Sequence, residues 1–196
     1  LVIDAARAQG LSAVPNPATW RGHLDKLLSK RTKASKGHHA AMDYTALPSL
    51  VQRLLHERDS LSCRALLMLI LRATRTSEIL LATWDEIDLV GKLWTIPAER
   101  MKAERLHRVP LSDAALGLLE GLPTREGYLF PGARKGKPLS GMAMMMALRK
   151  LGHDELTVHG FRSTFRDWAA EETHYPNIVA EMALAHTVGN AVEAAY

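Results

Sequence analysis

A chain of 196 residues that is 47% hydrophobic and 23% charged is long enough for one well-cored domain, or one domain with part of another, and reads as globular and soluble. Its net charge of +4 and pI near 9.3 lean toward a polyanionic partner, though a charge this modest is common among proteins that bind nothing acidic. No run approaches the ~18 uninterrupted apolar residues of a membrane helix, no secretory leader is visible, and the single cysteine, Cys63, sits among Leu61, Leu66 and Leu67 as a buried, inert thiol, which suits a reducing cytoplasm.

Leu1 to Gly10 reads as the tail of a helix, and Pro15-Asn16-Pro17 breaks the chain before Ala18 to Leu28 resumes a helical pattern with Trp20, Leu24 and Leu27 or Leu28 on one face. That face needs a partner, so these residues are expected to complete a domain whose body lies elsewhere; the chain starts at Leu1 without an initiator Met and reads as a piece of a longer protein. Ser29 to His39 is polar and basic, as an exposed linker would be. His38 and His39 are adjacent, point apart and have no carboxylate or cysteine cluster beside them, so no metal site is expected there. The cations Lys26, Lys30, Arg31, Lys33 and Lys36, and later Arg100, Lys102, Arg105 and Arg108, read as solvated faces or linkers unless a phosphate-binding constellation lies nearby.

From Tyr44 the texture changes. Leu47-Pro48-Ser49 opens a helix to about His56, and Leu61 to Ala73 reads as a second, apolar on several sides and central to the core. Thr74 to Glu78 interrupts it, with Ser77 or Thr76 as cap of a helix through Ala82. Arg75 therefore falls at a helix junction, where the plain reading is an ion pair with Glu78. Trp84 to Leu89, Lys92 to Pro97 and His107 to Leu111 suggest a small antiparallel sheet, with Lys102 in the loop between the second and third strands. Ser112 caps a helix to Leu119, and Gly121 to Lys137 is an irregular crossing. Ser140 to Leu151 is a helix whose Met142, Met144, Met145 and Met146 read as adaptable core filling. Leu156 to Glu172 forms the next helix, with Phe161, Phe165 and Trp168 spaced to pack inward, followed by Pro176 to Ala185 and a last helix from Ala191 to Tyr196. The fold class is mainly α with a small antiparallel β-sheet.

His159 and Arg162 carry the clearest chemistry. Three positions apart on a helix, an imidazole and a permanent cation share a face and can converge on one small anion such as a phosphate. Leu184-Ala185-His186 and, ten positions on, Tyr196 add a second imidazole and a phenol.

Together these pieces resemble the tyrosine recombinases, the phage integrase family. The resemblance rests on Ala73-Thr74-Arg75-Thr76-Ser77-Glu78, on Ile96 to Lys102 ahead of His107-Arg108-Val109-Pro110-Leu111, on His159-Gly160-Phe161-Arg162, and on Leu184-Ala185-His186 with Tyr196. It covers about residues 44 to 196, and its wording is most similar to prophage integrases that insert at tRNA genes. It implies a catalytic domain over 38–196 with the tyrosine recombinase (DNA breaking-rejoining) fold, preceded over 1–37 by the end of a core-binding domain and its linker.

The implied function is site-specific cleavage and rejoining of DNA through a 3′-phosphotyrosyl link, integrating or excising a prophage or genomic island. The resemblance makes Tyr196 the nucleophile, His159 the general acid/base, Arg75 and Arg162 the grip on the scissile phosphate, His186 a further hydrogen bond to it, Lys102 the acid for the departing 5′-oxygen, and Glu78 a support for Arg75. It implies no cofactor, metal or ATP, double-stranded DNA attachment sites, a homotetramer on DNA with the piece alone monomeric, DNA-bending accessory proteins and a cytoplasmic, nucleoid-associated setting in bacteria. A topoisomerase-like enzyme that only nicks and reseals, and a DNA-binding remnant without activity, are the competing readings.

Overall fold

In the computed structural model, which describes residues 2–11, 13, 16–19, 23–27, 40–57 and 59–186, the first helix, α1, covers Val2–Ala8, with Asp4 in its first turn and Arg7 in its last, the charge order that a helix dipole favours. Asn16 donates to Asp4 at 2.9 Å and accepts the Ala18 amide at 2.9 Å, an Asx turn that replaces the expected early start of a second helix. Among the described residues there, the α-helix is α2, Asp25–Leu27, and Leu27 is exposed. Trp20, Leu28 and the segment 28–39 with His38 and His39 lie outside the described residues. Contacts divide the chain into two units, Leu1–Gly37 and His38–Tyr196.

The second unit is built around one helix. Helix α3 spans Leu47–His56 with Pro in its first turn, where a missing amide hydrogen costs nothing. Helix α4, Leu61–Arg72, begins at Ser60, whose hydroxyl accepts the Cys63 amide at 3.3 Å. Cys63 and the run Ala65 to Leu69 are all buried, so α4 is covered on several sides, by α3 and by the later helices. A side chain of this kind contributes ~1.5–3 kcal/mol when fully buried, which makes α4 the element the others organise on.

After α4 come the short helix α5, Thr76–Leu80, and a three-stranded antiparallel sheet in the order β1-β2-β3: β1 Ile87–Asp88, β2 Leu93–Ile96 and β3 His107–Pro110. The expected first strand from Trp84 is largely a 3-10 turn, Trp84–Glu86. Glu86 accepts the indole N–H of Trp94 at 2.9 Å and pairs with Arg100, so this turn holds a partly buried carboxylate and strand pairing starts only after it. Arg100 is thus an internal partner of Glu86 and not one of the solvated cations read from its charge block. Ile96 faces His107 in the register, so the ten residues between them form the loop that carries Lys102.

Helix α6, Asp113–Glu120, starts at Ser112 as read from sequence, and α7 spans Ala143–Lys150. Of the four methionines beside it, Met144 is buried and Met145 packs partly on the core, whereas Met142 and Met146 are 53% and 54% exposed. The four sit at nearly consecutive positions, and one helix face cannot bury them all. Helix α8, Gly160–Glu172, is shorter at its start than expected, and His159 is its N-cap. Phe161 is buried and Phe165 partly so, while Trp168 is 41% exposed and lies against Phe165 at 6.0 Å between ring centroids. Helix α9 is Asn177–Ala183.

Residues 40–46 tie the start of this unit to α8. Thr157 donates its amide to the Ala40 carbonyl at 3.1 Å and Thr164 its hydroxyl to the Met42 carbonyl at 2.6 Å. A Cβ on Gly160 would stand 2.2 Å from the Ala40 carbonyl oxygen, so glycine is required where the chain passes this closely. Among the described residues no helix is long and apolar enough to cross a membrane.

Candidate active site

The site begins where α4 stops. Ala73 closes that helix in the left-handed region (φ 49°), and the chain turns so that Arg75 becomes the N-cap of α5. Neither Ser77 nor Thr76 caps it: Glu78, three residues past the cap, reaches back and accepts the Arg75 amide at 2.8 Å. The other carboxylate oxygen of Glu78 accepts from Arg75 Nη1 at 2.7 Å. Glu78 is only 2% exposed, and a buried carboxylate needs such a partner. The ion pair read from the sequence is present, and it sets the direction of the Arg75 guanidinium, whose Nη2 donates to the Ala185 carbonyl at 3.2 Å.

Arg162 enters from the first turn of α8 and is 5% exposed. Its Nη1 donates to the Ala73 carbonyl at 2.5 Å, and its Nη2 donates to the Leu184 carbonyl at 2.6 Å and lies 3.0 Å from His186 Nε2. A guanidinium can only donate, so His186 Nε2 accepts and the imidazole proton resides on Nδ1. That Nδ1 meets Glu181 Oε2 at 2.5 Å. Burial lowers the Arg162 pKa to about 10, the like charge of Arg75 adds to the effect, and Glu78 and Glu181 oppose it. At neutral pH the group remains a cation.

Lys102 approaches from the sheet. Met101 is buried and Arg100 is held by Glu86, so the loop leaves the core at Lys102, which is exposed. Arg75, Lys102, Ala103, Ala185 and His186 line one open cleft of about 250 Å³. His159 is exposed at the N-cap of α8, and its carbonyl accepts the Arg162 amide at 3.1 Å. Arg75 pairs with Glu78 and Arg162 with His186 by direct contact, the two arginines bond the neighbouring carbonyls of Ala185 and Leu184, Lys102 shares a cleft with Arg75 and His186, and His159 is linked to Arg162 through the backbone of α8. Tyr196 lies outside the described residues.

Sequence reasoning passed over His107 and Glu181. His107 is half-buried on β3, where burial holds its imidazole below the ordinary value and the charges of Glu78, Arg75 and Arg162 act on it. The available signal was strand alternation: His107 shares the inward face with Val109, an unusual place for an unused imidazole. Glu181 lies five residues before His186 and gave no signal of its own. Among the described residues no group of three or more His, Cys, Asp or Glu side chains could hold a metal ion.

The chain matches the profile of the phage integrase family over residues 41–196. Prophage integrase IntZ of Escherichia coli (strain K12) is 39% identical over 167 residues, covering 83% of this chain and 41% of that protein. The integrase of Enterobacteria phage P4 is 34% identical over 179 residues, with 81% and 41% covered. The chain thus spans about two fifths of the length of these curated relatives.

Among solved structures, XerA recombinase matches with a TM-score of 0.57 at 14% identity, covering 76% of this chain and 58% of that one. The Tn1549 transposon integrase in complex with a circular intermediate DNA matches with a TM-score of 0.53 at 13% identity, over 99% of this chain and 74% of that one. At these identities the likeness establishes the fold, which is that of the tyrosine recombinases. Since the family profile takes in 156 residues, most of the chain, this protein belongs to the phage integrase family.

Proposed function

We propose that the full-length protein is a site-specific DNA recombinase that cleaves and rejoins duplex attachment sites through a 3′-phosphotyrosyl intermediate, with Tyr196 as nucleophile. The observation that carries this reading is the convergence of Arg75, Arg162 and His186 on one end of α9, beside a cleft shared with Lys102. A dianionic, pentacoordinate phosphorus is stabilised by such preorganised donors, each typically worth about 3–4 kcal/mol.

The remaining roles follow from ordinary acidities. A phenol of pKa ~10 is ionised in only about one molecule per thousand at pH 7, so Tyr196 needs a proton acceptor. His159, exposed at the N-cap of α8, has the right chemistry for general acid/base work. Arg75 grips non-bridging oxygens, and Arg162 holds the frame behind it while completing the positive field. Lys102 protonates the departing 5′-oxygen, and His186 adds a hydrogen bond to the phosphate. The covalent link conserves the phosphodiester's energy, so resealing draws on no ATP. Unit Leu1–Gly37 serves as the end of a core-binding domain and unit His38–Tyr196 as the catalytic domain, working as a tetramer across two DNA sites with bending proteins in the bacterial cytoplasm.

Covalent trapping tests this reading. The full-length chain and its Tyr196→Phe variant are incubated with a nicked duplex carrying the host junction, and a denaturation-resistant protein–DNA adduct is sought. The reading expects an adduct with the parent alone. A parent that binds this DNA without ever linking to it, while an active integrase traps its own site in parallel, would establish the inactive DNA-binding remnant instead.

A further inference from the structure

Glu86 is the meeting point of three donors, one from its own turn, one from β2 and one from the β2–β3 loop. The Thr83 hydroxyl donates to Oε1 at 3.3 Å, while the Trp94 indole, at 2.9 Å, and the Arg100 guanidinium share Oε2. The turn that carries Glu86 is pinned from its other side. There the Trp84 amide donates to the Gly127 carbonyl at 3.0 Å, Thr83 bridges Tyr128, and Arg125 lies over the Trp84 ring at 4.8 Å. Glu86 is therefore a fixed point, and Arg100 is what the loop hangs on it. The side chains of Arg100 and Glu86 are 16% and 13% exposed, and Nε and Nη1 of Arg100 are buried without a partner among the described residues. An apolar pair of similar volume is often as stable as a buried ion pair, because desolvation of both charges offsets their attraction. Stability alone does not account for these two residues.

We propose that Glu86 and Arg100 are positioning residues of the recombination site: their buried pair anchors the β2–β3 loop so that Lys102 meets the departing 5′-oxygen. This inference rests on the function proposed above. The loop leaves β2 through successive turns, in which the amides of Arg100, Met101 and Glu104 donate to the carbonyls of Pro97, Ala98 and Met101 at 3.1, 3.0 and 3.0 Å. Met101 is 4% exposed, and Lys102 follows at once, exposed in the cleft with Arg75 and His186. A held guanidinium two residues before Lys102 and a buried side chain one residue before it fix its backbone. Only the rotations of its own flexible stem are left to aim the ammonium. Arg100 is not among the residues that line the cleft, so it acts through Lys102 and not on the phosphate. As Tyr196 bonds to phosphorus and the bond to the 5′-oxygen breaks, the Lys102 ammonium gives that oxygen its proton, and it departs as a hydroxyl. Misplacement of a reacting group by ~1 Å can cost about a hundredfold in rate, so the anchor controls proton transfer without touching DNA.

The test follows adduct formation by the full-length chain in single turnover on two nicked duplexes. One carries the ordinary phosphodiester, the other sulfur in place of the bridging 5′-oxygen. A thiol's pKa of ~8.5 lets sulfur leave as the anion, so this duplex needs no acid. Arg100→Met is expected to slow the oxygen duplex about tenfold or more at saturating DNA, to stay within about threefold of the parent on the sulfur duplex, and to leave DNA affinity within about twofold. Added to Lys102→Ala, which the sulfur duplex should also rescue, it should cost no more than about a further twofold, because both changes disable one proton transfer. An Arg100→Met variant as fast as the parent on oxygen overturns the proposal, as does equal loss on both duplexes or a full additional loss on top of Lys102→Ala. Should Arg100→Met fail to fold, Arg100→Met combined with Glu86→Gln, which leaves no buried ion unpaired, is judged by the same outcomes. A parent that forms no adduct on either duplex overturns the recombinase reading itself, an outcome distinct from slow variants of an active parent.

Discussion

Arg162 and His186 meet at 3.0 Å across the end of α9, and the far nitrogen of the same imidazole meets Glu181 at 2.5 Å. Because arginine only donates, this chain of contacts runs in one direction: Arg162 donates to Nε2, and Nδ1–H donates to Glu181. Glu181 therefore fixes both the tautomer and the ring plane of His186. Hydrogen bonds to charged groups are worth ~1.5–3 kcal/mol. Glu181→Leu is expected to slow single-turnover cleavage about tenfold or more, whereas Glu181→Gln, which still offers an accepting oxygen, stays within a few-fold of the parent. Comparing the two variants at saturating DNA checks this; equal loss in both would show that the carboxylate charge, and not acceptance of the Nδ1 proton, is what matters.

Two of the carbonyls that receive the arginines belong to alanines in the left-handed region, Ala73 at φ 49° and Ala185 at φ 50°. An L-residue there costs roughly 1–2 kcal/mol, offset in part by the ~0.5–1 kcal/mol that glycine loses in chain entropy. Ala73→Gly and Ala185→Gly are each expected to be neutral to stabilising by up to about 1 kcal/mol, with a melting temperature raised by as much as ~2–4 °C. Ala73→Val, β-branched in the same conformation, should destabilise by ~2 kcal/mol or more. Thermal unfolding of the three variants measures both signs.

Acid destabilises the fold through one identifiable half-buried group, the imidazole of His107. Burial holds the His107 imidazole below its ordinary value, Arg75 and Arg162 push the same way, and Glu78 and the Ala183 carbonyl oppose them. The unfolded chain takes up this proton near pH ~6.5, the folded one only at lower pH, so between those values the unfolded state binds more protons and stability rises with pH. The contribution is complete above pH ~6.5 and disappears as pH falls through the folded value. Urea midpoints of the parent should therefore drop between pH 7 and 5 more steeply than those of His107→Gln. Parallel curves would contradict this origin.

How far the sequence foretold these arrangements depends on the range of the interaction involved. Helices α3, α4 and α6 are written in local signals, with Pro48 in the first turn and Ser60 and Ser112 as caps, and the strand alternation around Trp94 and Val109 marks the sheet. The Arg75–Glu78 pair was legible for the same reason, being three residues apart. Misreadings came where a distant partner decides. Arg100 looked like a solvated cation until Glu86, fourteen positions away, appeared beside it. Trp168 has aromatic spacing for the core yet stands partly exposed on Phe165, because α8 turns its buried face through Phe161, Thr164 and Ala169. Glu181 meets His186 five positions away, and only folding brings His107 within reach of the charges of Arg75, Glu78 and Arg162.

The central claim is that Arg75 acts on the scissile phosphate and does not merely neutralise Glu78. It is tested most directly by pairing Arg75→Ala with Glu78→Gln, so that no buried carboxylate is left without its cation, and assaying the full-length double variant on two suicide duplexes. One carries a normal phosphodiester, the other a methylphosphonate at the scissile position, where a methyl group replaces one charged oxygen. On the normal duplex the double variant is predicted to form adduct ~10²–10³-fold more slowly than the parent. On the methylphosphonate, with less charge for Arg75 to stabilise, it should come within about tenfold of the parent. An equal loss on both duplexes, with the variant folded, would contradict the account and reduce Arg75 to a structural ion pair.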